Sequence, residues 1–230
     1  MISGRSVLAI IPARGGSKGI KRKNLVEVGG VPLLARTVWQ AHESRYIDRT
    51  ILSSDDAEIR KVGADYGCEV PFVRPDHLAS DTASSMDVVR HAISELRKPF
   101  DYLALLQVTS PLRLSSDIDR CIELCVETSA PCCVSVTKAD KSPYYMYNLD
   151  DNRVLTPIVT GGPTLAHRRQ DQPLAYVPNG AVYVAEVEWL LNQDHFLSSE
   201  TVGYEMPIER SLDIDTEVDL AYLKLILATT

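Results

Sequence analysis

Two familiar phosphate-binding signatures are missing from this chain. It contains neither G-x-x-x-x-G-K-[ST] nor G-x-G-x-x-G, so no Walker-type ATPase loop and no dinucleotide fingerprint are encoded. Cysteine is scarce: Cys68, Cys121, Cys125, Cys132 and Cys133 are odd in number and lack paired C-x-x-C spacing. Neither a disulfide framework nor a zinc site is signalled, and the set suits buried or surface thiols in a reducing compartment. Cys121 and Cys125 fall four apart, a spacing a metal accepts but which two packed helix residues explain as well. Long apolar runs are absent too. Val7–Ile11 is too short for a secretory core and far too short for a membrane span, so a cytoplasmic protein without a membrane partner is expected. Positive charge is in deficit, with 24 Lys and Arg against 31 Asp and Glu for a net charge of -7. An acidic chain argues against a nucleic-acid partner, which usually demands a broad basic surface.

Against that acidic background, the run IIPARGGSKGIKRKN, Ile10 to Asn24, gathers Arg14, Lys18, Lys21, Arg22 and Lys23 behind an apolar strand. Gly15, Gly16 and Gly19 remove side chains that would keep a ligand off the backbone. N–H groups can then point at phosphate oxygens while the cations offset charge. A small polyphosphate is the expected ligand, because ligands of open α/β sheets collect at the carboxyl ends of strands. A solvated glycine- and lysine-rich loop is the alternative.

The 230 residues suffice for one domain with a sizeable core. Strands are expected at Val7–Pro12, Arg49–Ser53, Glu69–Val73, Tyr102–Leu106 and Pro131–Thr137. Helices are expected at Val31–Glu43, Asp56–Tyr66 capped by Asp55, Ser85–Leu96 and Ser116–Thr128. Strands separated by helices imply right-handed crossovers and a mostly parallel sheet. Between Lys138 and Pro178 prolines, glycines and tyrosines interrupt every period, so extended hairpins leaving the main sheet, and a partner surface, are expected there. Regular structure returns at Gly180–Ala185, Glu186–Leu191 and a last helix over Thr216–Leu227.

Near the end, Ser211-Leu212-Asp213-Ile214-Asp215-Thr216 alternates carboxylates with apolar residues, which aims Asp213 and Asp215 at one face. Magnesium takes one or two protein carboxylates together with phosphate oxygens and water, so this pair is a candidate metal site. Helix capping by Asp215 or Thr216, with Asp219 completing an acidic capping box, is the competing reading.

Taken in order and spacing, IIPARGGSKGIKRKN, RPDHLASDTASS, LLQVTSPLR, PNGAVYV and SLDIDTEVDL resemble the acylneuraminate cytidylyltransferases, the CMP-sialic acid synthetase family with its legionaminic and pseudaminic acid relatives. The resemblance covers most of the chain. It implies a Rossmann-like fold of the nucleotide-diphospho-sugar transferase type, one domain over residues 1–230, and a small β-rich dimerisation excursion at about 138–178. It implies transfer of CMP from CTP to the anomeric 2-hydroxyl of a nine-carbon nonulosonic acid, with magnesium or manganese as the ion and a homodimer as the assembly.

Carried over residue by residue, the resemblance assigns Arg14, Ser17, Lys18, Lys23 and Asn24 to the nucleotide and its phosphates, with Lys23 and Arg14 catalytic. Arg74, Ser80, Thr82, Ala83 and Ser84 fall to cytosine and ribose, Ser84 or Ser85 also being a plausible helix cap. Gln107, Thr109, Ser110, Arg169, Tyr183 and Phe196 fall to the acceptor sugar: Arg169, or in the alternative its neighbour Arg168, to the carboxylate through a bidentate fork and in trans within a dimer, and Tyr183 and Phe196 to the acyl-sugar pocket, with plain core packing as their alternative. Asp213 and Asp215 become the metal ligands. Arg113 is read as a structural cation in the alternative. His77, His91 and His167 are read as surface or capping residues, which leaves the base open between Asp213, metal-bound water and the α-phosphate. The chain departs from some sialic-acid-specific members at Pro143-Tyr144-Tyr145-Met146, where they place a lysine after the proline. The acceptor therefore stands between N-acetylneuraminate and legionaminate. The rival readings are a CMP-Kdo synthetase or another sugar nucleotidyltransferase, and a non-catalytic nucleotide-binding relative.

Overall fold

In β1, Val7–Pro12, alternate residues point to opposite sides, and both sides are apolar. Val7, Ala9 and Ile11 join one core, Leu8 and Ile10 another. A strand apolar on both faces must be covered twice, and the computed structural model, which describes residues 1–160 and 173–229, has helices on each side of the sheet. Helices α1 (Leu33–Glu43), α2 (Ala57–Asp65), α4 (Ser115–Thr128) and α6 (Glu217–Ala228) contribute to the first core. Helices α3 (Ser85–Ser94) and α5 (Val187–Leu191) contribute to the second. Each large aliphatic side chain so buried contributes about 1.5–3 kcal/mol.

The six-stranded sheet runs in the order β10 (Thr201–Glu205), β6 (Cys132–Lys138), β9 (Tyr176–Glu186), β5 (Tyr102–Leu105), β1 and β4 (Arg49–Ser53). Five strands are parallel, and β9 lies antiparallel between β5 and β6. From β1 the chain passes first to β4 on one side and later to β5 on the other. The carboxyl ends of β1 and β5 therefore form a topological switch point, the place where such sheets open a crevice.

Several elements differ from the sequence expectation. The first helix starts at Leu33, because Gly29 and Gly30, at φ +62° and +73°, close a hairpin between β2 (Glu27–Val28) and β3 (Val31–Pro32). The second helix is capped by Asp56, whose Oδ1 accepts from the N–H groups of Glu58 and Ile59, both at 2.9 Å. Asp55 instead accepts from Gly15 N at 3.0 Å. No strand forms over Glu69–Val73: only Glu69 bridges to Ile51, and Pro71 has no N–H to extend the ladder. β10 was not expected. It is a half-buried edge strand interrupted by Gly203. β9 begins at Tyr176, inside the expected excursion, because the irregularity at Val134–Val136 lets β6 continue pairing with it as far as Lys138. Outside the sheet, a hairpin of β7 (Tyr147–Leu149) and β8 (Leu155–Pro157) stands on its own. The acidic capping box at the last helix is present: Thr216 caps α6 and Asp219 returns to its N–H at 2.7 Å.

Candidate active site

The cleft at the switch point has three adjoining parts. The largest of the three has a volume of about 350 Å³ between Pro12 at the end of β1, Arg14 and Asn24 after it, Arg74 and Ser80, and Gln107 after β5. A second, of about 280 Å³, lies under the glycine-rich loop beside Ser17, Lys18, Lys23 and Asp215. The third, of about 230 Å³, is apolar and bounded by Met86, Leu105, Tyr183, Phe196 and Leu197, with His195 at its wall.

The loop is held by its own charges. Arg14 donates to Ser80 O at 2.9 Å and pairs with Asp81 at 2.8 Å; Lys18 meets the other oxygen of Asp81 at 2.7 Å. Their cationic groups pull the Asp81 carboxyl below its ordinary range, Lys18 most strongly. Lys23, its side chain 15% exposed, donates to Ile214 O at 2.7 Å and to Asp215 Oδ1 at 2.9 Å. Arg22, at φ +53°, turns away and grips Asp56 through both terminal nitrogens, at 3.1 and 3.0 Å. It braces the loop against the start of α2. Asn24 is buried and donates to Arg14 O at 2.9 Å.

The loop glycines divide by cause. A Cβ at Gly15 would meet Asp56 Oδ2 at 2.9 Å, and one at Gly19 would collide with the carbonyl oxygen of Asp215, whereas none stands within 4 Å at Gly16. The protein's own packing, rather than ligand approach, therefore demands two of the three.

Arg74 is 3% exposed and is fastened to Ser53 through Oγ at 3.0 Å and the carbonyl at 2.5 Å. Burial pushes it down to about 10, against the pull of Asp55. It lines the largest part of the cleft but has few directions left to move. Ser80 and Ala83 also line it, while Thr82 shares a hydrogen bond with Ser80 Oγ at 3.2 Å and is not on its wall. Ser84 caps α3, accepting from Asp87 N at 3.0 Å, and borders the apolar pocket.

Gln107 and Thr109 reach the cleft, but Ser110 does not: it is 1% exposed and its Oγ is without a partner among the described residues. Arg113 is buried, donating to Gln107 O at 3.1 Å and Ala181 O at 2.7 Å. Burial lowers it to about 10. It ties β9 to the end of β5 and is a structural cation in the turn before α4. Tyr183 and Phe196 meet with tilted rings, 5.2 Å between centres, on the apolar pocket. Arg169, with Arg168 and His167, lies outside the described residues.

Ile214 turns inward and is fully buried; Asp215 lines the part of the cleft under the glycine-rich loop, and Asp213, near it in sequence, flanks Gly180 together with Gln107. Burial pushes the Asp213 carboxyl up and the negative charge of Asp215 adds to it; a hydrogen bond from Thr109 and the charge of Lys23 oppose them. Asp213 Oδ1 is buried without a hydrogen-bond partner among the described residues. An orphaned carboxylate oxygen beside a second, exposed carboxylate fits a hard divalent cation that takes its other ligands from phosphate and water. Among the described residues no third His, Cys, Asp or Glu joins the pair.

Sequence reasoning gave no separate role to Asp81 or His195. Asp81 was visible only as the acid within SDTAS, and His195 only as the neighbour of Phe196.

A cationic loop facing an acidic pair across a switch-point cleft, with an apolar pocket alongside, defines an α/β site able to hold a polyphosphate beside a second ligand. The chain belongs to the cytidylyltransferase family: the family model described as Cytidylyltransferase matches residues 8–224. It is 34% identical to the N-acylneuraminate cytidylyltransferase of Escherichia coli O18:K1:H7 over 93% of this chain but 50% of that protein. The chain thus spans about half the length of that relative. It is 32% identical to the pseudaminic acid cytidylyltransferase of Campylobacter jejuni, over 95% of each chain. With the CMP-N,N'-diacetyllegionaminic acid synthase of Legionella pneumophila it shares 30% identity over 94% of this chain and 93% of that one. In fold it is similar to a CMP:2-keto-3-deoxy-manno-octonic acid synthetase solved with CTP, with a TM-score of 0.71 at 15% identity over 97% of this chain and 99% of that one. Among the described residues no helix is long and apolar enough to cross a membrane.

Proposed function

We propose that this protein is a cytoplasmic CMP-nonulosonate synthetase, which transfers the CMP group of CTP to the anomeric 2-hydroxyl of a nine-carbon nonulosonic acid, N-acetylneuraminate or legionaminate. The oxygen of that hydroxyl forms a bond to the α-phosphorus, the bond to the β-phosphate breaks, pyrophosphate leaves, and the hydroxyl proton passes to a base. The observation that carries this reading is the meeting of Lys23 with Asp215, which brings the phosphate loop to the acidic pair while the apolar pocket opens beside Gln107.

Ser17, Lys18 and Lys23 hold the phosphates, and Lys23 and Arg14 offset charge on the α-phosphate and leaving group. Arg74, Ser80 and Ala83 form the cytidine wall, with Thr82 bonded to Ser80 behind it and Ser84 at the border with the apolar pocket. Gln107 and Thr109 orient the acceptor, and the Tyr183–Phe196 pocket receives its acyl group. Asp213 and Asp215 are the residues that would hold magnesium or manganese, which when bound supplies charge neutralisation at the phosphate oxygens. The excursion exposes Leu149, Val154, Leu155 and Ile158, apolar surface suited to a homodimer contact. Arg169 binds the acceptor carboxylate, in trans if the dimer forms there.

The test is pyrophosphate release with CTP and magnesium against N-acetylneuraminate, legionaminate, pseudaminate, Kdo and a sugar 1-phosphate. Release with a nonulosonate alone supports the reading. Release only with Kdo or a sugar phosphate selects a rival, and silence with CTP still bound selects the non-catalytic relative. Arg169→Ala should weaken acceptor binding far more than CTP binding; equal losses would remove it from the sugar site.

A further inference from the structure

Between β10 and the acidic pair the chain makes a short 3-10 turn, Ile208–Arg210, and there it is bolted to the protein interior. Arg210 donates to both oxygens of Asp117, Nε to Oδ2 at 3.0 Å and Nη2 to Oδ1 at 2.6 Å. Asp117 is fully buried in the first turn of α4. It also accepts from Leu114 N at 2.9 Å and the Tyr204 hydroxyl at 3.0 Å. The next residue is held as well: Ser211 Oγ accepts from Asn179 Nδ2 at 2.9 Å. Asn179 Oδ1 takes Ser135 Oγ at 2.6 Å and Ala181 N at 3.2 Å. That bracket sets the bend at Gly180, φ +76°, where a Cβ would lie 3.5 Å from Gln107 Oε1 and 3.8 Å from Asp213 Oδ2. Beyond Asp213, Ile214 N donates to Thr109 O at 2.8 Å. Asp213 is thus slung between the Arg210–Asp117 pair and the Ser211–Asn179 bond behind it and the Thr109 carbonyl ahead.

We propose that Arg210 is a positioning residue: its two-pronged grip on Asp117 sets where Asp213 presents its unpartnered oxygen, although Arg210 itself lines none of the cleft. A planar guanidinium on a carboxylate fixes direction as well as distance, which a lysine ammonium does not. Asp117 cannot rotate to follow a displaced partner, because Leu114 N and Tyr204 hold it. Loss of the fork leaves the single Asn179–Ser211 bond as the side-chain tie behind Asp213, so the 208–213 segment can shift while the phosphate loop, anchored through Arg22, Asn24 and Asp56, stays in place. This inference rests on the metal-dependent transfer reading above.

The experiment compares wild-type protein with Arg210→Lys, which keeps a cation beside the buried carboxylate, and with Arg210→Ala, to which guanidinium ion is added back. Three quantities are read: CTP binding without metal, Mn2+ binding to the CTP complex by electron paramagnetic resonance, and kcat with KM for CTP. Arg210→Lys should bind metal-free CTP within about twofold of wild type, bind Mn2+ at least tenfold more weakly, and lose at least tenfold in kcat with KM for CTP little changed. Guanidinium should restore Mn2+ binding to Arg210→Ala, provided that variant remains folded. Wild-type Mn2+ affinity and kcat in Arg210→Lys would overturn the proposal. So would a loss of CTP binding in proportion to the loss of turnover, which marks a merely structural residue, or a wild-type CTP complex that takes up no Mn2+. If no acceptor is turned over, the transfer reading fails while the Mn2+ measurement still decides the role of Arg210.

Discussion

Replacing Gly19 by alanine tests the contact between the phosphate loop and the acidic segment directly. The added Cβ would overlap the carbonyl oxygen of Asp215. Neither side yields easily. Ile214 N is bound to Thr109 O and Asp215 N to Asp219 Oδ2, at 2.8 and 3.1 Å, and the loop is braced by the Arg22–Asp56 pair. Ordinary van der Waals separation requires the two segments to part by about 1 Å. That opens the Lys23 bonds to Ile214 O and Asp215, and a misplacement of about 1 Å near reacting groups costs on the order of 100-fold in rate. We expect kcat/KM for CTP to fall about 100-fold, equivalent to about 2.7 kcal/mol of lost transition-state stabilisation. Overpacking of this kind costs about 1–3 kcal/mol of stability, or roughly 2–4 °C in melting temperature per kcal/mol for a chain of this size. Gly16→Ala is the internal comparison: with no atom within 4 Å, its melting temperature should equal that of wild type. The assay is pyrophosphate release at varied CTP, alongside thermal unfolding. Wild-type activity and melting in Gly19→Ala would refute the contact, and an equal melting loss in Gly16→Ala would refute the packing argument.

Asp215→Asn should reduce turnover by roughly 10²–10³-fold with an unchanged melting temperature, since its side chain is 70% exposed; equal activity would remove it from the mechanism. Asp81→Asn releases Arg14 and Lys18 from an internal anion, so CTP should bind roughly two- to five-fold more tightly at low salt. The gain should fade at high salt; weaker CTP binding in the variant would show that Asp81 closes over the nucleotide instead. Asp219→Ala removes the returning half of the capping box at α6 and leaves Thr216 as its cap. Hydrogen bonds from the Thr216 hydroxyl and N–H, with that of Asp215 N, hold the Asp219 carboxyl below its ordinary range. Its stabilisation is therefore full above the unfolded value of about 4 and is lost as pH falls through the lowered one. The melting difference from wild type should be constant near pH 7 and close in strong acid, and a difference that widens on acidification would contradict this.

How much was legible depended on whether a residue's partner was near in sequence. The Thr216–Asp219 capping box spans three residues and was readable as a pattern. The strands Val7–Pro12 and Arg49–Ser53 form where their apolar runs lie, because burial on both faces leaves no choice of period. Asp55 is the cap expected from sequence for the second helix, but Asp56 caps it, because Asp55 is engaged by Gly15, forty positions away. β10 escaped notice because its pairing with β6 comes from the edge of a finished sheet, not from a local pattern. The switch-point cleft was anticipated in kind, yet Ser110, which sits in the same motif as Gln107 and Thr109, proved to be buried.

From its order of residues alone, the chain determined its family, the alternation that makes a mostly parallel sheet, and the chemical character of its basic loop and acidic pair. These are properties of composition and short-range spacing, carried by whichever residues are adjacent. Tertiary structure alone decided that Lys23 meets Asp215 across 192 positions and that Gly19 is required by a carbonyl of the same segment. It also decided that Arg210 grips a buried carboxylate ninety-three positions before it. Such pairings depend on how strands are ordered and how close two loops are brought, and no local preference of the chain encodes those distances.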